Sequence, residues 1–269
     1  MKLPKLPAPP LPNALQGRPE RPGEGKKAGP IDHAKEAGIG AVDWIDERTS
    51  LSGGLRWAMF RKVPKGTNWF YTLGSATMFA FLSQAVTGVF LAMYYRPDAA
   101  GGAYESVGHI TNDVFLGEFV RGMHKWGSTV MVVLVFLHMA RTFFFGAYKY
   151  PRELNWVIGA VLLILTMVMS FTGYLLPFDQ RSYWATIVGV NINGTGPLVG
   201  PYLSDFLRGG AEFGATTLAH FYAIHMLLLP GAIAAMIGAH LCLVAKLGTT
   251  APPWQKVPES ESNLHEDRV

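Results

Sequence analysis

The first long apolar pattern runs from residue 70 to 95, FYTLGSATMFAFLSQAVTGVFLAMYY, without a single Asp, Glu, Lys or Arg. A helix needs roughly 20 residues to cross a bilayer, so this stretch predicts a transmembrane helix. Similar stretches follow at 121–145, 154–176 and 214–245. The expected fold class is an all-α membrane protein, a four-transmembrane-helix bundle. The connection over residues 177–213 is too long for a simple turn, and connections of that length tend to carry function. Upstream the pattern changes. Residues 1–40 are rich in Pro, Gly and charge and have no apolar period, so they predict a disordered, basic, Pro-rich arm. Val42 to Phe60 mixes Trp44, Ile45, Leu55, Trp57, Met59 and Phe60 with charged residues, the pattern of an N-terminal helix lying in the headgroup region. The domain organisation expected is therefore an arm at 1–40, a four-helix domain at 41–250 and a polar tail at 251–269.

Charge adds a direction. Only 16% of the 269 residues are charged, well below the quarter typical of soluble domains. Twelve of the 23 Lys and Arg residues precede residue 70, so the basic balance belongs to the N-terminal segment. Arg56, Arg61, Lys62 and Lys65 precede the first span, Arg141, Lys149 and Arg152 surround the second-to-third connection, and Lys246 closes the fourth. The other two connections carry only Arg96 with Arg121, and Arg181 with Arg208. Positive-inside bias then puts both termini in the cytoplasm. No apolar h-region with a cleavage site follows Met1. The single cysteine, Cys242, excludes an internal disulfide framework, a Cys-rich zinc site, a Cys-ligated iron–sulfur cluster from this chain alone and a C-x-x-C-H haem attachment.

Five of the eight histidines fall in the predicted spans: His124, His138, His220, His225 and His240. An imidazole in hydrocarbon is costly and marks a function or a buried partner. His124 and His138 are fourteen residues apart, about 21 Å along a helix and only about 40° apart around it. His225 and His240 are fifteen apart, about 22 Å and about 60°. His220 lies about 140° from His225 and is the odd one out. Alternate spans run parallel, so His124 faces His225 and His138 faces His240. Two stacked pairs of this kind suit two six-coordinate b-type haems, with hydrogen-bonded core histidines or a proton relay as the alternatives. Gly74 and Gly88 on the first span, and Gly159 and Gly173 on the third, repeat the fourteen-residue step, and glycine allows a haem edge or face to approach the backbone, small-residue helix packing being the other reading. Arg121 and Arg141 stand three residues outside His124 and His138, where a guanidinium can grip a haem propionate or simply snorkel.

The segments RGMHKWGSTVMVVLVFLHMAR, GYLLPFDQRSYWA and HFYAIHMLLLPGAIAAMIGAH, with YYRPDAAGGAYESV and YKYPRELNWVIG, resemble the N-terminal four-helix half of cytochrome b, and more closely its short b6-type form, from about Asp43 to Lys246. The fifteen-residue step from His225 to His240 is the b6-type spacing. The resemblance implies two non-covalent b haems, held by His124/His225 on the outer side and His138/His240 on the cytoplasmic side, with Arg121 and Arg141 at propionates. It also implies short helices in 177–213 roofing a quinol-oxidation pocket, to which Tyr174, Phe178, Tyr183 and Trp184 correspond. Phe178 stands where the family usually has Trp, and His220 where it usually has Arg. Thr72 stands where the b6-type form carries the cysteine that tethers a third haem, so a thioether cannot form there, and a non-covalent third haem is left open.

The function implied is that of the di-haem subunit of a quinol:cytochrome c oxidoreductase in a bacterial plasma membrane. Such a subunit carries electrons between an outer quinol-oxidation site and an inner quinone-reduction site, with proton translocation. The family's Pro-Glu-Trp-Tyr motif is absent, which implies a separate subunit carrying the C-terminal half of cytochrome b. Further implied partners are a Rieske iron–sulfur protein, a c-type cytochrome and a second protomer, with membrane lipid around them and no nucleic acid. Menaquinol is the expected quinol, on the missing tether cysteine and the basic arm. A di-haem anchor of another quinone-linked dehydrogenase is the alternative, against which GYLLPFDQ and the long third-to-fourth connection speak. A scaffold or channel without cofactor would show no visible absorption.

Overall fold

The computed structural model describes residue 40, residues 43–49, residue 53 and residues 64–254. The remainder of the expected arm, most of the expected interfacial helix and residues 255–269 lie outside the described residues. Two compact units divide at Lys62 and Val63. In the first, residues 43–49 are helical. There the Arg48 guanidinium donates to the Trp44 carbonyl at 2.8 Å and stacks over the Trp44 ring at 4.1 Å.

The second unit is helical among its described residues. A 3-10 turn, Trp69–Thr72, is capped by the Asn68 side chain and leads into α1, Leu73–Ala92. Then come α2, Gly102–Asn112, α3, Gly117–Phe144, and α4, Glu153–Tyr174. The long connection holds α5, Gln180–Gly194, and α6, Gly200–Arg208. Two helices, α7 at Ala215–Ala223 and α8 at Leu229–Leu247, are joined end to end by a π-helical turn, Ile224–Leu228. Four rods are long and apolar enough to cross a membrane: Trp69–Ala92, Gly117–Phe144, Glu153–Tyr174 and Ala215–Leu247. They match the four stretches expected from the sequence. The extra helix α2 was not foreseen. Its sequence, GAYESVGHITN, is short and only weakly apolar, and it buries a single stripe of Gly102, Ala103, Ser106 and Ile110.

Packing is unequal. α1 lies along α3 and α8 along α4, whereas α3 and α4 touch less and α3 does not pair closely with α7 or α8. The bundle is two helix pairs with a slot between them. Small cores hold each part: Ala80, Met131 and Val135 between α1 and α3, and a larger group including Leu175, Val190, Leu218 and Phe221 where α4 meets α5 and α7. Arg152 ties the pair α4/α8 at one end by donating to the carbonyls of Leu247 and Gly248. Thr217 ties α7 to α6 by donating to the Arg208 carbonyl at 2.7 Å. Residues 251–254 return to the bundle: Pro252 is buried, and the Trp254 ring meets Phe145 edge-on at 5.4 Å.

The π turn has a clear local cause. Proline at position 230 has no N–H for the Met226 carbonyl, and its ring crowds that carbonyl. The Leu229 N–H instead reaches back five residues to Ile224. A π turn amounts to one residue inserted into an α-helix. Fifteen residues from His225 to His240 therefore turn about as far as fourteen do in α3, close to 40° rather than the 60° expected for an unbroken α-helix.

Candidate functional site

Four spans bring four of the five intramembrane histidines into two pairs across the slot. The rings of His124 and His225 have centres 6.4 Å apart at 78°, and those of His138 and His240 have centres 6.4 Å apart at 79°. The two levels share one ring geometry. With each imidazole nitrogen about 2 Å from a transition-metal ion and each ring centre about 1 Å further, two rings on opposite sides of one ion have centres about 6 Å apart. Each pair thus has the spacing of two axial ligands. Among the described residues no group of three or more His, Cys, Asp or Glu side chains could hold a metal ion, so a metal ion at either pair would take its remaining ligands from elsewhere.

Every one of the four glycines seats one of these imidazoles. A β-carbon at Gly74 would lie 3.1 Å from His138 Cε1, at Gly88 3.3 Å from His124 Cε1, at Gly159 3.8 Å from His240 Cε1, and at Gly173 2.5 Å from His225 Cε1. The group that approaches each glycine is the histidine ring, held edge-on against a neighbouring helix. α1 supports the two histidines of α3, and α4 supports the two of the fourth rod. Threonines complete the seat at one level only. Thr87 Oγ1 is 2.9 Å from His124 Nδ1, and Thr172 Oγ1 is 3.2 Å from His225 Nδ1. These threonines were missed in the sequence, although the dipeptide Thr-Gly recurs at 87–88 and 172–173.

The arginines flank the histidine column. Arg121 is half-buried one turn before His124. Arg141, one turn beyond His138, stacks over Tyr71 at 3.7 Å and Phe145 at 5.0 Å. Its Nε and Nη2 are buried with no hydrogen-bond partner among the described residues, as is the Tyr71 hydroxyl. A buried guanidinium with unused donors fits an anionic group that a cofactor would bring. Thr72 donates its hydroxyl to the Trp69 carbonyl at 2.6 Å, and Cys242 is an exposed free thiol on α8. His220 faces elsewhere: its Nδ1 is 2.9 Å from the Phe206 carbonyl, and its ring lies against Gly209, whose φ of 72° admits no ordinary side chain. It latches α7 to the end of α6.

At the end of the slot nearer His124, the segment after α4 forms an aromatic wall. Phe178 meets Tyr183 at 5.6 Å, Tyr183 meets Trp184 at 5.2 Å and Phe213 at 4.9 Å, all near-perpendicular. Phe178 sits at a φ of 49°, a left-handed conformation that costs a bulky residue roughly 1–3 kcal/mol and is typical of functional sites. A cleft of about 520 Å³ is lined by Tyr104, Phe178, Asp179, Gln180 and Arg181. Tyr95 braces this segment by donating its hydroxyl to the Leu176 carbonyl at 2.6 Å. Of the four expected wall residues, Phe178, Tyr183 and Trp184 are in ring contact, and both Trp184 and Tyr174, the latter on the last turn of α4, are exposed.

The family model described as Cytochrome b/b6/petB matches residues 59–248. The menaquinol:cytochrome c reductase cytochrome b subunit of Geobacillus thermodenitrificans is 41% identical over 218 residues, covering 78% of this chain and 97% of that protein. Cytochrome b6 of Heliobacterium modesticaldum is 42% identical over 213 residues, covering 78% of this chain and 100% of its own length. Among solved structures, a chain of a hyperthermophilic respiratory Complex III superposes with a TM-score of 0.71 at 30% identity, over 84% of this chain and 63% of that one. This chain therefore spans less than two thirds of that Complex III chain. Four apolar spans, an all-helical fold and relatives at this identity lead to one assignment: the chain is a b6-type member of the cytochrome b family, a multi-pass membrane protein of a haem b-binding family.

Proposed function

We propose that this chain is the di-haem, electron-carrying subunit of a quinol:cytochrome c reductase. Its substrate would be menaquinol, as in the name of the Geobacillus relative. The observation that carries the reading is the duplication of one ligand geometry, 6.4 Å and nearly perpendicular, at two levels of the slot. When bound, two non-covalent b-type haems supply one-electron carriers spanning the low-dielectric interior between an outer quinol-oxidation site and an inner quinone-reduction site.

The residues of the chain do the rest. His124 with His225, and His138 with His240, would hold the two haem irons through Nε2. Gly74, Gly88, Gly159 and Gly173 let those rings lie flush on the neighbouring helices. Arg121 and Arg141 would hold the propionates, the latter through Nε and Nη2, which have no hydrogen-bond partner among the described residues. Phe178, Tyr183 and Trp184, with Tyr174 at the rim, wall the quinol pocket, and Tyr95 keeps their segment in place. Water is kept from the slot by the apolar faces of four spans, so the charge moved there is not dissipated by solvent. Both termini lie in the cytoplasm of a bacterium by the Lys/Arg asymmetry, which puts the His124/His225 level outside. Partners are a subunit carrying the C-terminal half of cytochrome b, a Rieske protein, a c-type cytochrome and a second protomer.

A dithionite-reduced minus oxidised spectrum with pyridine haemochrome quantitation on the purified complex tests this. Two b haems per chain are expected, with one lost in His138→Ala and the other in His225→Ala. A folded chain without haem, or with one haem indifferent to both substitutions, overturns the assignment.

A further inference from the structure

The two histidine levels share ring geometry but not hydrogen bonding. At the first level both Nδ1 atoms have partners, and the other hydrogen bonds of those partners favour one direction. The Thr87 hydroxyl donates to the Ser83 carbonyl at 2.7 Å, with the Gln84 carbonyl at 3.2 Å, and the Thr172 hydroxyl donates to the Met169 carbonyl at 3.0 Å. A hydroxyl has one proton. With that proton on its own helix, each threonine oxygen is left as an acceptor, so the proton between it and the ring belongs to Nδ1. The Met169 carbonyl, 3.1 Å from His225 Nδ1, can only accept and demands the same. His124 and His225 are thereby held as the tautomer whose Nε2 carries a free lone pair. The other level lacks this device. The residues before its glycines are Leu73 and Ile158 where the first level has Thr87 and Thr172. No threonine reaches the buried His240 Nδ1 there, and the group beside it is the Asn155 backbone.

We propose that Thr87 and Thr172 are positioning residues that tune the haem at the His124/His225 level alone. They fix the ligating tautomer, and by accepting from Nδ1–H they make both imidazoles stronger donors, which lowers the reduction potential of that haem. The inference rests on the di-haem reading above. A donor bond to the far nitrogen of a metal-bound imidazole raises its basicity, and a stronger axial donor stabilises the ferric over the ferrous state. His225 has a second acceptor in the Met169 carbonyl, so Thr87 carries the larger share.

Redox titration of the intact complex, followed at the b-haem absorbance, tests this with Thr87→Val, Thr172→Val, the double variant and the two Thr→Ser variants. Thr87→Val is expected to raise the midpoint of one haem by a factor of about ten in the ferric/ferrous equilibrium, about 59 mV for a one-electron couple. Thr172→Val gives a smaller rise, the other haem stays in place, and Ser restores both. An unmoved midpoint in the double variant, or equal movement of both haems, overturns the proposal. Where a Val variant assembles without the haem, the matching Ser variant must hold it at the unsubstituted potential, and a shifted Ser midpoint also overturns it. A complex with no haem at either level overturns the di-haem reading itself.

Discussion

Gly173 leaves His225 no slack, since an added β-carbon would stand 2.5 Å from Cε1, while at Gly159 it would stand at an ordinary 3.8 Å from His240. Gly173→Ala is therefore expected to cost the complex one of its b haems and Gly159→Ala to leave both, as read by pyridine haemochrome. Gly74 and Gly88, at 3.1 and 3.3 Å, fall between them. The fourteen-residue glycine step was legible in the sequence, but not what it touches. A missing side chain announces a close approach without naming the visitor, and the visitor is a histidine from another helix. The histidines themselves were legible because each interrupts an apolar run at great cost. Thr87 and Thr172 were not, because threonine in a helix interior ordinarily bonds its own preceding turn, which both of these also do. Tyr95 was missed for the same kind of reason, its partner being a carbonyl 81 positions away. Tyr95→Phe orphans that carbonyl at a cost of about 1–3 kcal/mol. It should raise the quinol KM while leaving the haem spectra unchanged.

Among the elements, the π turn at Ile224–Leu228 reconciles two helices with different histidine spacings. Its widening absorbs the extra residue, so the fourth rod matches α3 in pitch between ligands. Deleting Leu228 together with Pro230→Ala should give an unbroken helix with a fourteen-residue step and both haems retained. Deleting Val132 from α3, which has no such turn, rotates His138 by about 100° and should remove the second haem. Equal haem loss in the two deletions would contradict this account. The spans were readable from hydropathy alone, and their observed ends differ from the expected ones by a few residues. The π turn was not readable, since Pro230 predicts a disturbed helix without saying whether it kinks, breaks or widens. The surface helices α2, α5 and α6 have little apolar periodicity of their own and exist by leaning on the spans.

For the molecule as a whole, the spans bury little. Only 11%, 11%, 6% and 11% of the residues in their most apolar windows are buried, and side chains such as Phe79, Val86, Phe144 and Leu227 are more than two thirds exposed. Lipid, partner subunits and haem must cover that surface. With α3 and the fourth rod not in close contact among the described residues, whatever fills the slot adds to the bonds between the two helix pairs. Ligand that binds only the folded state stabilises by about 4 kcal/mol at a thousandfold excess over its Kd. Extraction of haem from the detergent-solubilised chain should therefore lower its melting temperature sharply, and re-addition of haem should restore it. A thermal transition unchanged by haem removal would mean that the pairs hold each other without help.

On the di-haem proposal, the arrangement of ligands would also set a clock on biosynthesis. α3 would supply the first half of both sites, and the fourth rod, which carries His225 and His240, the second half of both. A chain leaving the ribosome N-terminus first therefore has two half-sites and no complete one until its fourth span has entered the bilayer. Neither haem can be locked in early, and both become possible at once. Cofactor capture would then report finished insertion, because a product stalled before its fourth span carries His124 and His138 without the histidines that face them.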